Sequence, residues 1–423
     1  MYGKRFDVNK QYKYENNFKT EKSIDGAILD HGNHYTSGKT LEIIDQPLNT
    51  PKVTAANGLK VWFNLDVDSS SKKHEISNNF AIAVIEKLQI SFGTKEIQCI
   101  DHFNIFALYT QKWFTKSQRE SMLDQGVDDE DQGAINKLRL GHSGGSSEQR
   151  LMSKIYENRF CFPVSQFFEG LYHLPFHQTQ GKFPLKISLT LAKNESVLKD
   201  EGTTGANGKP ADAKFQIYDL DFEREILSNI SVRSSVEETT FNRRYLYDKI
   251  TSHNHEAFDK KSKLFQLDID TLTQSLKAIV LIFIDEEQSR KDYACDNEVF
   301  FNPNFTRIDI QTTGNSHALY QNGMRPSHLY ESASSIFKFS DDTLMTRKKF
   351  FTNGFALVLN FKSIEEKEVH GTGKIIDGNG KIHLEMKRTP DSSSATGKVM
   401  CYPFTIKEAS VTVSPTGVTT SEL

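Results

Sequence analysis

The sharpest chemical pattern in the sequence is Gly141-His142-Ser143-Gly144-Gly145, a literal G-x-S-x-G. In an α/β-hydrolase that serine sits on a strained turn between a buried strand and a helix, which presents its hydroxyl to a histidine base. The following segment, SSEQRLMSKIYE, can form the helix. The preceding one, INKLRL, carries Asn136, Lys137 and Arg139, which a parallel strand buried on both faces would not hold. No βαβ units or oxyanion-loop motif accompany the pentapeptide. A flexible Gly/Ser loop is therefore the better reading, with a Ser143 hydrolase as the remote alternative.

The other candidates fail on geometry. His173-Leu-Pro-Phe-His177 has the i,i+4 spacing of two metal ligands, but Pro175 blocks the helix that would align the rings. The pairs Asp66/Asp68, Asp219/Asp221 and Asp268/Asp270 each put two carboxylates on one strand face, where a solvated edge competes with cation binding. GTTGANGKP departs from a P-loop at Thr203, where glycine is required, and at Pro210, where a Mg²⁺-binding hydroxyl is required. His253-Asn-His255 has no Cys or carboxylate spacing to complete a site. No active site assembles, so the sequence predicts no catalytic, cofactor-binding or metal-binding residue, no cofactor and no enzyme.

Residues that could do chemistry need elements to position them, and these elements belong to a β protein. In KVWFNLDVD, Val61, Phe63, Leu65 and Val67 share one face, with Trp62, Asn64, Asp66 and Asp68 on the other. Leu185, Ile187, Leu189 and Leu191 alternate in the same way, as do Phe265, Leu267 and Ile269, and Ile382, Leu384 and Met386. Half-buried antiparallel strands read like this. Residues 83–114, AVIEKLQISFGTKEIQCIDHFNIFALYTQKWF, start as a hairpin with Gly93-Thr94 at its turn. They then change to helical spacing at Phe103, Phe106, Ala107 and Thr110, with Asp101 as the expected N-cap. Further short helices are predicted after a capping box at Ser117–Glu120, near 147–157 and near 327–337.

A length of 423 residues argues for two domains. The division falls near Ser228 to Glu238, between strand-rich blocks each large enough for one eight-stranded sandwich and without a residue-level repeat. Loops at 124–133, 141–150 and 193–214 are polar and long, and 193–214 offers almost no apolar side chain to bury. The net charge of −3 argues against a general nucleic-acid binder. The N-terminus lacks the apolar core of a signal peptide, and the longest apolar run, Ala278 to Ile284, is too short to span a bilayer. Cys99, Cys161, Cys295 and Cys401 form no C-x-x-C pair and read as free thiols of a reducing compartment. The sequons at Asn194, Asn229 and Asn304 then go unused.

Three segments together resemble one family. Residues 85–123, residues 158–176 (NRFCFPVSQFFEGLYHLPF, with N-R-F-x-x-P and a short aromatic helix) and residues 348–376 (ending in H-G-x-G) are similar to the double jelly-roll major capsid proteins. The resemblance is to the hexon-like proteins of Polinton/Maverick elements and adintoviruses, and more distantly to adenovirus hexon. It implies an all-β chain of two tandem eight-stranded jelly rolls with few short helices and long surface loops. The corresponding bounds are an N-terminal arm over 1–35, jelly rolls over 36–230 and 231–412, and a tail over 413–423. The arm and the Ser/Thr-rich residues 410–423 are too poor in apolar side chains to fold alone, and in a shell they would reach neighbouring proteins. The implied role is structural: homotrimers acting as pseudo-hexameric capsomers, tiling an icosahedral virion shell with penton and minor capsid proteins. The implied genome is double-stranded DNA, with no specific nucleic-acid reading and no membrane span. Phe103 and Phe106 would plug the first core, and Trp113 and Phe114 would meet a neighbouring element, either within the chain or in another subunit. A jelly-roll glycan-binding protein is the alternative of a different class.

Overall fold

The computed structural model describes residues 34–45, 53–68, 74–127, 135–140, 146–164, 183, 185–200, 214–227, 244–270, 275–286, 298–312, 315–316, 322–338, 340–361, 381–390, 397–414 and 417–422. The first half contributes strands β1 (Tyr35–Thr36), β2 (Thr40–Asp45), β3 (Val53–Asp68), β4 (His74–Ile76), β5 (Ile85–Phe92), β6 (Lys95–Asp101), β7 (Arg159–Pro163), β8 (Leu185–Leu191), β9 (Leu198–Asp200) and β10 (Lys214–Leu227). The second contributes β11 (Arg244–Ser252), β12 (Glu256–Asp259), β13 (Leu264–Asp270), β14 (Leu276–Asp285), β15 (Phe305–Thr312), β16 (Asn315–Ser316), β17 (Ala356–Asn360), β18 (Lys381–Arg388), β19 (Lys398–Ser414) and β20 (Gly417–Glu422). Among the helices are α1 (Phe80–Ala83), α2 (Phe103–Gln111), α3 (Lys116–Glu120), α4 (Ile135–Arg139), α5 (Ser147–Tyr156) and α6 (Asn194–Val197) in the first half. In the second half are α7 (Pro326–Phe337) and α8 (Arg347–Asn353).

Set aside the β4–β9 ribbon and the strands β12 and β20 that add to β19, and the described residues of each half form eight strands. In the first half the sheets run β1-β10-β3-β7 and β2-β8-β5-β6; in the second they run β11-β19-β14-β17 and β13-β18-β15-β16. Counted in order within its own half, each lobe therefore has its first, eighth, third and sixth strands in one sheet. The second, seventh, fourth and fifth make the other. The same connectivity occurs twice. The lobes join where β6 meets β11 in parallel, with Thr251 opposite Cys99, which fuses one sheet of each lobe into a ten-stranded sheet.

The expected alternation builds both cores. Val61, Phe63 and Leu65 of β3 face Leu185, Ile187 and Leu189 of β8 in one continuous cluster of buried side chains, and β13 and β18 bury the same alternate positions in the other lobe. Gly93 sits at the β5–β6 turn with φ +55°, a left-handed backbone that glycine adopts at low cost. The unbroken run in β14 is buried on both faces: Phe283 points into the second core against Phe305 and Phe355, while α2 lies across the strand.

Several expectations are corrected. Asp101 is not a helix cap but the last residue of β6, paired opposite Lys87 and joined to it by a 2.8 Å ion pair. The N-cap of α2 is His102, held at φ 55° with no side-chain cap. The capping box of α3 is Thr115 with Gln118, not Ser117 with Glu120: the helix starts two residues earlier, where Thr115 is fixed by a bridge to Thr343. INKLRL includes helix α4, where the G-x-S-x-G geometry would require a strand. Its Arg139 is buried because the guanidinium donates to the carbonyls of Leu123 (3.0 Å), Glu157 (2.7 Å) and Arg159. The start of the 193–214 loop is structural: Val197 and Leu198 are fully buried, and Asn194 Oδ1 accepts from Phe215 N at 3.2 Å. The C-terminal segment is not a loose tail, since β20 folds back antiparallel on β19 from the Ser414/Gly417 turn and buries Val418.

Candidate functional site

The junction between the lobes is where the sequence-predicted aromatic residues converge. Helix α2 leaves the first lobe at His102 and crosses to the second. Phe103, at its start, lies edge-on to Phe162 of β7 at 5.8 Å. One turn later Phe106 stands 5.1 Å from Phe404 of β19 and 6.3 Å from Phe337 of α7. Tyr109 meets Phe300 and Phe337 at 5.3 and 5.2 Å. Trp113 is enclosed by Tyr330, Phe337 and Phe350 of the second lobe's helices. Phe114 belongs to a satellite cluster with Met122 and Val127. All four predicted residues are buried within one chain. The helix thus runs from Phe162 of the first lobe to Phe337, Phe350 and Phe404 of the second, and Phe106, expected in the first core, meets the second lobe's rings instead.

The carbonyls of Trp113 and Phe114 add a second seam. Thr343 Oγ1 donates to the Trp113 carbonyl at 2.6 Å, and Leu344 N donates to the Phe114 carbonyl at 2.9 Å. Beside it lies a polar cluster that sequence reasoning missed. Arg119 of α3 donates twice to the Glu298 carboxylate, at 3.0 and 3.1 Å, and Lys112 approaches it at 3.5 Å. Burial pushes the Glu298 carboxyl up, but the two cations beside it outweigh that effect and hold it below the usual carboxylate range. Asn78 Nδ2 also donates to Glu298, at 3.4 Å, while Asn79 donates to Gln111 and Gln111 to Gln125. Arg119 and Glu298 are 179 residues apart, so no local pattern links them.

At the N-terminal end of α2, three rings span the junction. His102 lies 5.3 Å from His255 and 4.9 Å from Tyr402, and His255 lies 5.5 Å from Tyr402. Burial lowers the His102 pKa, opposed by the nearby Glu86 carboxylate. His253 is lowered likewise by burial, and its Nε2 lies 3.1 Å from Thr405 Oγ1.

The described members of the sequence-predicted carboxylate pairs are mostly taken up by ion pairs. Asp219 and Asp221 are both paired with Arg159, Asp268 with His383 at 2.6 Å, and Asp270 with Lys381 at 3.7 Å. Asp66 and Asp68 sit exposed on β3. Among the described residues no three His, Cys, Asp or Glu side chains converge as a metal site would require. Ser143, His173, His177, residues 202–210 and Cys295 lie outside the described residues. Cys99, Cys161 and Cys401 are free thiols. No described helix is long and apolar enough to cross a membrane.

Two lobes of one connectivity, fused through a shared sheet, are a distinctive arrangement, and solved structures share it. The chain is similar to the capsid of PBCV-1 virus (TM-score 0.59, 11% identity, covering 92% of this chain and 94% of that one). It is similar to Faustovirus major capsid protein (0.57, 7% identity, 91% and 89%) and to a chain of the Sputnik virophage (0.55, 13%, 100% and 92%). The fold is the double jelly roll. No family model and no curated protein matches the sequence. At such low identity, the double jelly roll is carried by connectivity and core pattern, with almost every individual side chain exchanged. The aromatic junction and the Glu298 cluster thus describe how this particular chain locks its two jelly rolls.

Proposed function

We propose that this chain is a major capsid protein whose homotrimers form pseudo-hexameric capsomers of an icosahedral shell. The observation that carries the reading is the duplicated connectivity: two similar lobes held rigidly in one chain make six lobes from three copies, a near-hexagonal tile. The solved double jelly-roll proteins named above are capsid proteins, which supports the same role here. The role is structural and requires no catalytic residue or cofactor. In this reading the jelly rolls comprise residues 36–230 and 231–412, and residues 1–35 form an arm toward neighbouring capsomers, penton or minor capsid proteins. Phe106 and Trp113 act as the internal lock that fixes the angle between the lobes, while Phe103 and Phe114 pack within the first lobe. Assembly takes place in a reducing host compartment, and the mature location is the virion.

Light scattering coupled to size exclusion tests the reading directly. The expected mass is that of three chains, persisting on dilution to nanomolar concentration because an obligate interface buries more than about 2,000 Å². Averaged electron micrographs should have a hexagonal outline. A stable monomer at every concentration refutes it.

A further inference from the structure

The His253-Asn-His255 motif, which completes no metal site among the described residues, falls beside the bridge of Thr251 to Cys99 that joins the two lobes' sheets. Strands β11 and β12 pair with successive stretches of β19, Ser252 opposite Phe404 and Glu256 opposite Cys401. Three residues, His253 to His255, therefore face only two, Tyr402 and Pro403, and the extra residue makes a bulge. At this bulge His255 meets the start of α2 in the other lobe, its ring edge-on to His102 at 5.3 Å. Tyr402 closes the cluster, 4.9 Å from His102 and 5.5 Å from His255. His102 is held at φ 55°, a conformation uncommon for a residue with a side chain and kept by the contacts around it. Its neighbour Asp101 donates its N–H to Ser252 Oγ across the same joint at 2.9 Å.

Two imidazoles from opposite lobes thus meet at a hydrogen-bonded joint, and an imidazole ordinarily gains its proton near pH 6.5, roughly. We propose that His102 and His255 form an acid-sensitive latch: neutral rings pack and keep the joint closed, and protonated rings repel and loosen it. Burial is the largest influence on His102 and lowers its pKa, and His255 adds to the lowering. The Glu86 carboxylate of β5 opposes it, as does Asp101, which is already paired with Lys87 at 2.8 Å. His253, on the same bulge, is lowered by burial and by Lys407 of β19, against Asp270 of β13. Burial raises the Cys401 thiol and the Tyr402 hydroxyl, so neither becomes an anion beside the rings. Glu256, which follows His255, is exposed, where solvent and salt screen its charge. The closed joint therefore binds fewer protons than the open one. Its protection is full above the ordinary histidine value and falls below it, by up to about tenfold per pH unit for each histidine. The latch lies within one chain and stands whether or not three chains associate.

Amide hydrogen exchange of the full chain, corrected for its intrinsic rate, reads the joint at Asp101 and across 249–256. Between pH 7.5 and 5.5, protection there should fall at least about tenfold. The acid-induced exchange should be insensitive to low urea, as a local opening is. His102→Asn, which keeps the left-handed backbone accessible, should lose most of the fall. His255→Gln should keep the fall but move its midpoint up, because a neighbouring cation no longer opposes protonation of His102. His328→Gln, at an exposed position of α7, is the control that should behave as wild type. A His102 or His255 variant already unprotected at pH 7.5 would make the rings packing groups only and overturns the latch. So do an unchanged fall in His102→Asn, an unmoved midpoint in His255→Gln, and exchange that rises with urea as steeply as that of β3.

Discussion

Substituting Glu298 by Gln removes the only charge change needed to test the lobe lock, at almost constant volume. The variant leaves the Arg119 and Lys112 charges in place at a buried junction without the carboxylate that both approach within 3.5 Å. Removing one partner of a buried pair costs about 3–5 kcal/mol, because the remaining charge stays desolvated. An exposed pair such as Lys116–Glu120, at 3.6 Å with both side chains about half exposed or more, is worth only about 0.3–0.5 kcal/mol, so Glu120→Gln is the control. Unfolding entropy of about 2.1 cal/mol/K per residue, over 423 residues, amounts to about 0.9 kcal/mol/K, so a loss of about 4 kcal/mol lowers Tm by about 4–5 °C. The loss falls on the coupling between lobes, so calorimetry should show the single transition broadening or dividing in two. The carboxyl is held below its unfolded value, so its stabilisation is present above that value and is lost as pH falls through the folded one. The difference between wild type and Glu298→Gln should therefore shrink on acidification. A Tm shift under 1 °C at neutral pH, or a difference that grows in acid, would refute the reasoning.

Two further outcomes are expected. His102 and His253 have pKa values lowered by burial, so their neutral forms stabilise the fold above the ordinary histidine value and this is lost as pH falls below it. Melting between pH 7.5 and 5 should show a decline that His102→Asn partly flattens, asparagine being able to keep the left-handed backbone at φ 55°. Gly126→Ala should lose about 1–3 kcal/mol by urea titration: φ is +82°, and the added methyl would stand 2.8 Å from the Phe160 ring and 3.2 Å from Phe80 N.

How much of this was legible in the sequence depends on the range of the interaction. Alternation marked Val61, Phe63 and Leu65 and the β18 positions correctly, because a half-buried strand writes its environment into every second residue. The β5–β6 hairpin and α2 were legible too, since a glycine turn and a 3.6-residue spacing are local. Local signals misled where a distant partner had a stronger claim. Asp101 has the side chain of an N-cap, but its N–H donates to Ser252 Oγ of the other lobe at 2.9 Å and its carboxylate accepts from Lys87 of β5. Residues 410–423 look too polar to order themselves, yet 410–414 continue β19 and β19 offers β20 (417–422) an edge whose backbone bonds need no apolar side chain.

Composition and periodicity by themselves determined that this is an all-β chain of two sandwiches with a few aromatic-rich helices, because those properties depend only on neighbours along the chain. The tertiary structure alone decided that both lobes share one strand order, that Thr251 lies beside Cys99 to fuse their sheets, and that Glu298 finds Arg119 across 179 residues. Pairings over such separations leave no period to read. They are fixed only when burial and charge satisfaction are settled for the whole chain at once.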